Sequence, residues 1–372
     1  MNILHVIPGD LWAGAEAQVF YTVKALRTYS QHKIKVIVFN RSELYQRLVD
    51  AGVHVILFDE SRLGSAILCN RIKQVLTDYN VHVVHVHEYK SHILTALARV
   101  MLRNKCALFR TLHGQNVPSR LKSYLVLGCQ SYFLQYLTDH LIAVSDELKR
   151  LLSQKYTKPS IHLIYNAVDL SLLPSIVAVS EVRRTFGVPE KQFWIGTTSR
   201  LEVVKNLPML INAAGYLIKK YPKFDFRISI FGEGALRDNL QRKIAQHGLT
   251  KHVFLEGHNS NIMPILQSLD VFTLTSHHEG LPMSLLEAMS VKTIPVCTAV
   301  GGMKEVVTDG EDGFFVSPDD SEELAETFMY IYCNRKELHV IGDKANEKIR
   351  KNFSVEQNCK HLLSLYENYE LH

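Results

Sequence analysis

Residues 2–16 read Asn2-Ile3-Leu4-His5-Val6-Ile7-Pro8-Gly9-Asp10-Leu11-Trp12-Ala13-Gly14-Ala15-Glu16. An almost unbroken apolar run passes into a loop of small residues, and helical spacing begins where the loop ends. Such a run is what a strand shows when both faces of a parallel sheet are covered. The unit repeats. Further apolar runs at Ile34–Phe39, Val53–Phe58, Val81–Val86, Ala107–Leu112 and Leu141–Val144 alternate with helix-like segments at 15–29, 42–51, 66–78, 91–103, 120–137 and 145–154. Strand–helix alternation of this kind predicts right-handed βαβ units and a doubly wound α/β fold.

A second series starts near Phe193. Its strands are expected at Phe193–Thr198, Phe226–Phe231, Val253–Leu255, Val271–Leu274, Ile294–Val296 and Gly313–Val316, with helices near 207–220, 235–247, 261–268, 282–290 and 321–333. The segment Asn166–Pro189 lacks sustained alternation and reads as a linker. The 372-residue length fits two domains of roughly 150–190 residues. We place them at 1–168 and 169–353, with an amphipathic closing segment at 354–372. Two such sheets facing each other are expected to bind ligands beyond the carboxyl ends of their strands.

Composition is that of an ordinary globular protein, 47% hydrophobic and 21% charged. No run of 18 apolar residues predicts a spanning helix. The amino-terminal stretch has no signal-peptide pattern, and the six cysteines are scattered without a CxxC pair, so a cytoplasmic protein with reduced thiols is expected. The net charge of +5 is unevenly spread. Residues 1–150 hold 18 Lys and Arg against 11 Asp and Glu, a balance of +7, and no acidic residue lies between Glu88 and Asp139. That window carries Lys90, Arg99, Arg103, Lys105, Arg110, Arg120 and Lys122, with Tyr124-Leu125-Val126-Leu127 and Tyr132-Phe133-Leu134-Gln135-Tyr136-Leu137 close behind. Cations beside aromatic and aliphatic groups favour an anionic membrane surface; a core helix with a solvated basic face is the competing reading. The charge is too mild, and motifs too absent, for nucleic acid.

The chemistry concentrates in Glu279-Gly280-Leu281-Pro282-Met283-Ser284-Leu285-Leu286-Glu287-Ala288-Met289. Pro282 suits the first helical position. The free N–H groups of Met283 and Ser284 would then meet an anion at the helix start. A phosphate cradle flanked by Glu279 and Glu287 suits a sugar nucleotide, with a helix cap and a buried Glu as the plainer alternative. Arg200 and Lys205 follow an expected strand and could hold a diphosphate. Phe231-Gly232-Glu233-Gly234 and Glu256-Gly257-His258 are candidates for the wall beside a base, or simply turns. Gly14 would let backbone approach a ligand, and His113 in Thr111-Leu112-His113-Gly114 could bond a sugar hydroxyl. The spacing of His87-Glu88-Tyr89-Lys90-Ser91-His92 fails the HExxH pattern, and His277-His278-Glu279 lacks ligand spacing, so no metal site is expected.

Together these segments resemble the retaining glycosyltransferase family 4, of GT-B fold. The resemblance rests on Glu279-x7-Glu287, the following Pro295-Val296, Val300-Gly301-Gly302, Asp309-Gly310 and Gly313-Phe314-Phe315-Val316, and on Arg200-x4-Lys205 upstream. More loosely, it includes Ala13-Gly14-Ala15-Glu16, Thr111–Gly114 and Tyr165-Asn166-Ala167-Val168-Asp169. It implies two Rossmann-like domains, with the last helix crossing back onto the first. It implies that Glu279 contacts donor-sugar hydroxyls, with Gly280, Leu281, Pro282, Met283 and Ser284 alongside. Glu287 would contact the ribose, Arg200 and Lys205 the diphosphate, Gly14 the phosphate and His113 the donor sugar. No metal or other cofactor is implied. The first loop has Ala13-Gly14 where the family often has two glycines, and Val203-Val204 makes the Arg-to-Lys loop more apolar than usual.

The expected activity is transfer of a sugar, with retention, from a nucleotide-sugar donor (a UDP-sugar ahead of a GDP-sugar) to a saccharide acceptor. A lipid-linked or cell-envelope acceptor at the inner face of the plasma membrane fits the basic stretch of 90–137. A small soluble acceptor, a sugar-nucleotide epimerase or phosphorylase, and a binding-only scaffold are the rival readings.

Overall fold

The computed structural model describes residues 1–10, 12–102, 106–114, 121–173 and 179–370, with side chains of 121–127, 129 and 370 outside the description. Arg103, Lys105 and Arg120 of the basic stretch, and the side chains of Lys122 and Tyr124–Leu127, therefore lie outside the described residues.

The chain divides into two compact units, Met1–Ala167 with Val355–His372, and Val168–Ser354. The first holds seven parallel strands: β1 (Asn2–Ile7), β2 (Lys33–Val38), β3 (His54–Leu57), β4 (Val83–His87), β5 (Ala107–Leu112), β6 (His140–Ala143) and β7 (Ser160–Leu163). Between them run α1 (Gly14–Tyr29), α2 (Glu43–Asp50), α3 (Ser65–Asp78), α4 (Tyr89–Leu102), α5 (Leu121–Tyr136) and α6 (Asp146–Lys155). The sheet order is β3-β2-β1-β4-β5-β6-β7. Ile3, Leu4, Val6 and Ile7 are all fully buried, so both faces of β1 are covered, as its apolar run predicts. Leu4 and Val6 pack with Ile37, Ile72, Leu76 and Val84 on one face.

The second unit opens with a 3-10 turn, Leu170–Leu172, and α7 (Val179–Thr185) in the segment expected to be linker; residues 174–178 there lie outside the description. Its strands are β8 (Phe193–Thr198), β9 (Phe226–Phe231), β10 (Val253–Gly257), β11 (Val271–Leu274), β12 (Ile294–Thr298) and β13 (Phe314–Val316). They form one parallel sheet in the order β10-β9-β8-β11-β12-β13. Its helices are α8 (Leu207–Lys220), α9 (Arg237–Gln246), α10 (Ile262–Ser268), α11 (Met283–Ser290), α12 (Met303–Val306), α13 (Ser321–Cys333) and α14 (Arg335–Asn352). The apolar runs become β5, β8, β9 and β11 residue for residue.

The closing helix α15 (Val355–Glu370) packs on α1 in the first unit. Tyr366 of α15 is fully buried, its hydroxyl 2.5 Å from His85 Nδ1. Among the described residues no helix is long and apolar enough to cross a membrane.

Candidate active site

In the second unit the strand order reverses between β8 and β11. Doubly wound sheets bind ligands beyond the carboxyl ends of the strands at such a reversal. The loops leaving these two strands carry Lys205 and Glu279. Lys205 ends a single 3-10 turn, Val203–Lys205, and Asn206 then turns left-handed (φ 46°) to start α8. The Thr275 hydroxyl donates to the carbonyls of Lys205 and Asn206 (3.0 and 3.1 Å), and the His277 N–H donates to Val204 O at 2.9 Å. One backbone bond and the Thr275 hydroxyl thus join the loops, and the charged side chains meet. Lys205 Nζ lies 2.6 Å from Glu279 Oε1, the two side chains only 16% and 10% exposed. The Ser276 hydroxyl donates to the same oxygen at 2.6 Å. One carboxylate oxygen is held by an ammonium and a hydroxyl, while Oε2 has no partner among the described residues.

A third loop, after β12, presses onto this one. Gly302 N–H donates to Gly280 O at 2.8 Å. Gly301 is left-handed (φ 54°), and a Cβ there would stand 1.9 Å from Glu279 O. Only glycine allows both the conformation and the approach.

Pro282 corrects one expectation. It precedes α11 in extended conformation (φ −71°, ψ 127°), as the cap residue and not the first helical one. Its carbonyl already accepts the N–H of Leu285 at 3.2 Å. The shift leaves Met283 and Ser284 as the first two helical residues, whose N–H groups have no acceptor within the helix and point out of its start. Leu281 and Met283 are buried, and Glu287, 8% exposed, lies in the second turn.

Arg200 lies on the Lys205 loop but is 58% exposed, with Nη1 2.8 Å from Glu202 Oε1. The structure does not bring its guanidinium to the Lys205–Glu279 pair. Gly232 is left-handed (φ 135°), with an added Cβ 2.0 Å from Ser199 O, so the end of β9 lies hard against the Arg200 loop. Gly232 N–H donates to Gly257 O at 2.8 Å, which joins the ends of β9 and β10.

In the first unit the order reverses between β1 and β4. Gly14 is the first residue of α1, capped by extended Ala13, and so stands at a helix start where a loop was expected. The helix simply begins one residue earlier than the pattern suggests. His113 follows β5, half-buried, its ring stacked 5.9 Å from that of His87. Burial first, and the Arg110 charge second, push its pKa down to about 4. It is therefore neutral near pH 7, and its enclosed Nε2 has no partner.

Several groups at this reversal escaped the sequence reading. Glu16 is 8% exposed, and burial, aided by the charges of Glu88 and Asp10, raises its pKa to about 7. Glu88 follows β4 with φ 64°, a left-handed conformation that is costly for a residue with a Cβ. Arg110 is buried with Nε and Nη1 unpartnered. The pattern His85-Val86-His87-Glu88 at a strand end was the available signal.

His5, His85 and His87 each place a ring nitrogen within 4.8 Å of the others. Four of the six ring nitrogens already serve one another or a neighbour, while His5 Nε2 and His87 Nδ1 are buried without a partner among the described residues. His5 Nδ1 meets His87 Nε2 at 3.3 Å, and His85 meets both Tyr366 and the Thr111 hydroxyl at 2.5 and 2.7 Å. His92 of the rejected zinc pattern sits on α4, bonded to the Thr138 hydroxyl at 2.8 Å.

Two family profiles match the chain. "Glycosyl transferases group 1" covers residues 178–348 and "Glycosyltransferase Family 4" residues 12–172. The UDP-Gal:alpha-D-GlcNAc-diphosphoundecaprenol alpha-1,3-galactosyltransferase of Escherichia coli is 27% identical over 76% of this chain and 74% of its own. The N-acetyl-alpha-D-glucosaminyl L-malate synthase of Bacillus anthracis is 23% identical over 80% of this chain and 78% of its own. Among solved structures, Anabaena Alr3699/HepE in complex with UDP and glucose superposes with a TM-score of 0.88 at 22% identity, over 99% of this chain and all of that one. The GT-B fold expected from the resemblance is thereby shown.

Proposed function

From the premise that the chain belongs to the group 1 glycosyltransferases of family 4, and is a transferase, we propose that it moves a sugar from a UDP-sugar to a saccharide acceptor with retention and without a metal. The observation that carries this reading is the Lys205–Glu279 pair at the strand reversal, beside a helix start with free N–H groups. In the proposed reaction the bond from the anomeric carbon to the diphosphate oxygen breaks, and its electron pair leaves with the diphosphate. The acceptor oxygen bonds to the same carbon on the same face, and its proton passes to the leaving phosphate oxygen. Lys205 and the N–H groups of Met283 and Ser284 oppose the growing charge, each such contact worth about 2–4 kcal/mol. Arg200 joins them once it leaves Glu202. Glu279 Oε2 takes donor-sugar hydroxyls and Glu287 the ribose. Gly232, Gly257 and Gly280 with Leu281 wall the donor.

The test is nucleotide release from UDP- and GDP-sugars by the purified protein, with and without EDTA. Release from a UDP-sugar, indifferent to EDTA and abolished in Glu279→Ala, is expected. Dependence on a divalent ion, or undiminished release by Glu279→Ala, overturns the assignment.

The acceptor we propose is lipid-linked, in cell-envelope polysaccharide synthesis, met at an anionic bilayer surface. The E. coli relative, named for a diphosphoundecaprenol-linked acceptor, supports this; the B. anthracis relative, named for L-malate, supports a soluble one. What favours the bilayer is an apolar face on two helices in contact. Leu97, Val100 and Met101 of α4 are 40%, 52% and 61% exposed, and Tyr132 and Tyr136 of α5 are 56% and 51% exposed. Lys158 Nζ lies 4.4 Å over the Tyr136 ring. Cosedimentation with phosphatidylglycerol vesicles at low salt is expected, lost in Val100→Asp/Met101→Asp. Equal sedimentation of both proteins, or of neither, rejects this face.

A further inference from the structure

At the amino ends of β2 and β3, the opposite end of the sheet from the loops described above, lies a cavity of about 370 Å³. It is lined by Arg27 from the last turn of α1, His32 and Lys33 at the start of β2, Lys35, His54 at the start of β3, and Tyr79 at the end of α3. Strand geometry builds it. Lys33 and Lys35 point to one face of β2, and Lys35 is the register partner of His54.

Arg27, Lys33 and Lys35 thus line one concavity, the first two exposed and the third half-buried, and His32 of the same lining meets the exposed Glu367 carboxylate at 3.2 Å. Among the described residues no carboxylate lies within 4 Å of Arg27, Lys33 or Lys35, although such pairs form elsewhere in the unit, as between Arg47 and Glu43. Arg27 caps the carbonyl of Ala51 with Nη1 at 2.6 Å, as a cation near a helix end does. The Lys33 and Lys35 ammoniums have no hydrogen-bond acceptor at all among the described residues, and Lys35 is half-buried, its Nζ 4.0 Å over the Tyr79 ring. Helix capping accounts for Arg27 but not for the lysines.

We infer that this cavity is a second anion site, and that it takes a phosphate monoester. A monoester carries nearly two negative charges near pH 7, which matches the lining cations better than a carboxylate does. The guanidinium can bond oxygens in a fork, and the ammoniums act as point charges beside it. The Tyr79 ring and buried Ile34 supply an apolar wall for the carbon skeleton. The size suits a small organic phosphate. The monoester can belong to a soluble sugar phosphate or to a lipid headgroup.

The whole protein would be saturated with UDP, to fill the donor site, and the acylation rates of Lys33 and Lys35 read by mass spectrometry. Glucose 6-phosphate is one probe, and phosphatidylcholine vesicles carrying phosphatidic acid are the other. Slowing by the sugar phosphate identifies a soluble ligand; slowing by the vesicles alone identifies a headgroup. In Lys35→Gln and Arg27→Gln the affinity for the effective probe should weaken about tenfold or more, with UDP binding unchanged as the sign of an intact fold. No slowing by either probe, or equal affinity in wild type and both variants, overturns the inference.

Discussion

Glu279 and Lys205 were each readable as candidates from sequence, but not as partners. They stand 74 positions apart, and their loops meet only because the strand order reverses between β8 and β11. The pairing changes what a mutation should do. With Lys205 removed, Glu279 keeps only the Ser276 hydroxyl on Oε1. With Glu279 neutralised, Lys205 is a mostly buried cation without its counter-charge. Lys205→Met and Glu279→Gln should each lower kcat/KM by about 10²–10³. The double variant should be scarcely worse than the poorer single one, because groups that act as a unit are not additive. A double variant whose loss is the product of the two singles would show that the residues act separately. Arg200 was equally legible as a residue, yet its exposed pairing with Glu202 was not, since a loop side chain's direction leaves no periodic mark.

Strands were easier to read than the helix that ends the second unit. A strand buried on both faces writes itself as a block of apolar residues, which is why β8, β9 and β11 begin and end where their runs do. β7 was missed for the same reason: Ser160 is exposed and Ile161, His162 and Leu163 are only half-buried. α14 was missed because most of its residues are charged or polar, with Ile341, Ala345 and Ile349 carrying its buried stripe. Gly342, mid-helix, argues against a helix by propensity. The structure explains it: a Cβ there would lie 2.1 Å from Lys292 O, so α14 crosses the turn after α11 at a distance only glycine permits. Gly342→Ala therefore sets two effects against each other. Helix propensity favours alanine by about 1 kcal/mol, and overpacking against a backbone oxygen typically costs about 1–3 kcal/mol. The contact should win, and Tm should fall. A variant with unchanged or higher Tm would mean that α14 can lift off Lys292 at little cost.

Across the whole chain the two units differ in their buried titratable groups. His5, His85, His87 and His92 of the first unit are buried, and no histidine of the second unit is, among the described residues. Burial pushes the pKa of His5 down to about 3 and holds His85, His87 and His92 well below the ordinary imidazole range; His113 is pushed down to about 4. Once unfolded, each would bind a proton near pH 6.5. Below that pH the unfolded chain holds more protons than the folded one, so stability falls as pH drops from about 6.5 toward 4. Each fully shifted histidine contributes up to about 1.4 kcal/mol per pH unit. Glu16 works the other way: its pKa is raised to about 7, so its folded form keeps the proton and gains as pH falls. His140 and His162 are also shifted down, mainly by burial, and Asp10 is shifted up; seven histidines against two such carboxyls leave the first unit acid-sensitive. In the second unit the half-buried Asp270 is also shifted upward, mainly by desolvation, and acid favours its folded form. The first unit should therefore unfold at a higher pH than the second. The chain's two tryptophans make this measurable, since Trp12 lies in the first unit and Trp194, fully buried, in the second. In Trp12→Phe the fluorescence reports the second unit alone, while far-ultraviolet circular dichroism reports both. On acidification, part of the dichroism should be lost before the Trp194 emission shifts. Coincident transitions, or an earlier shift of Trp194, would show that the buried histidines do not set the order of unfolding.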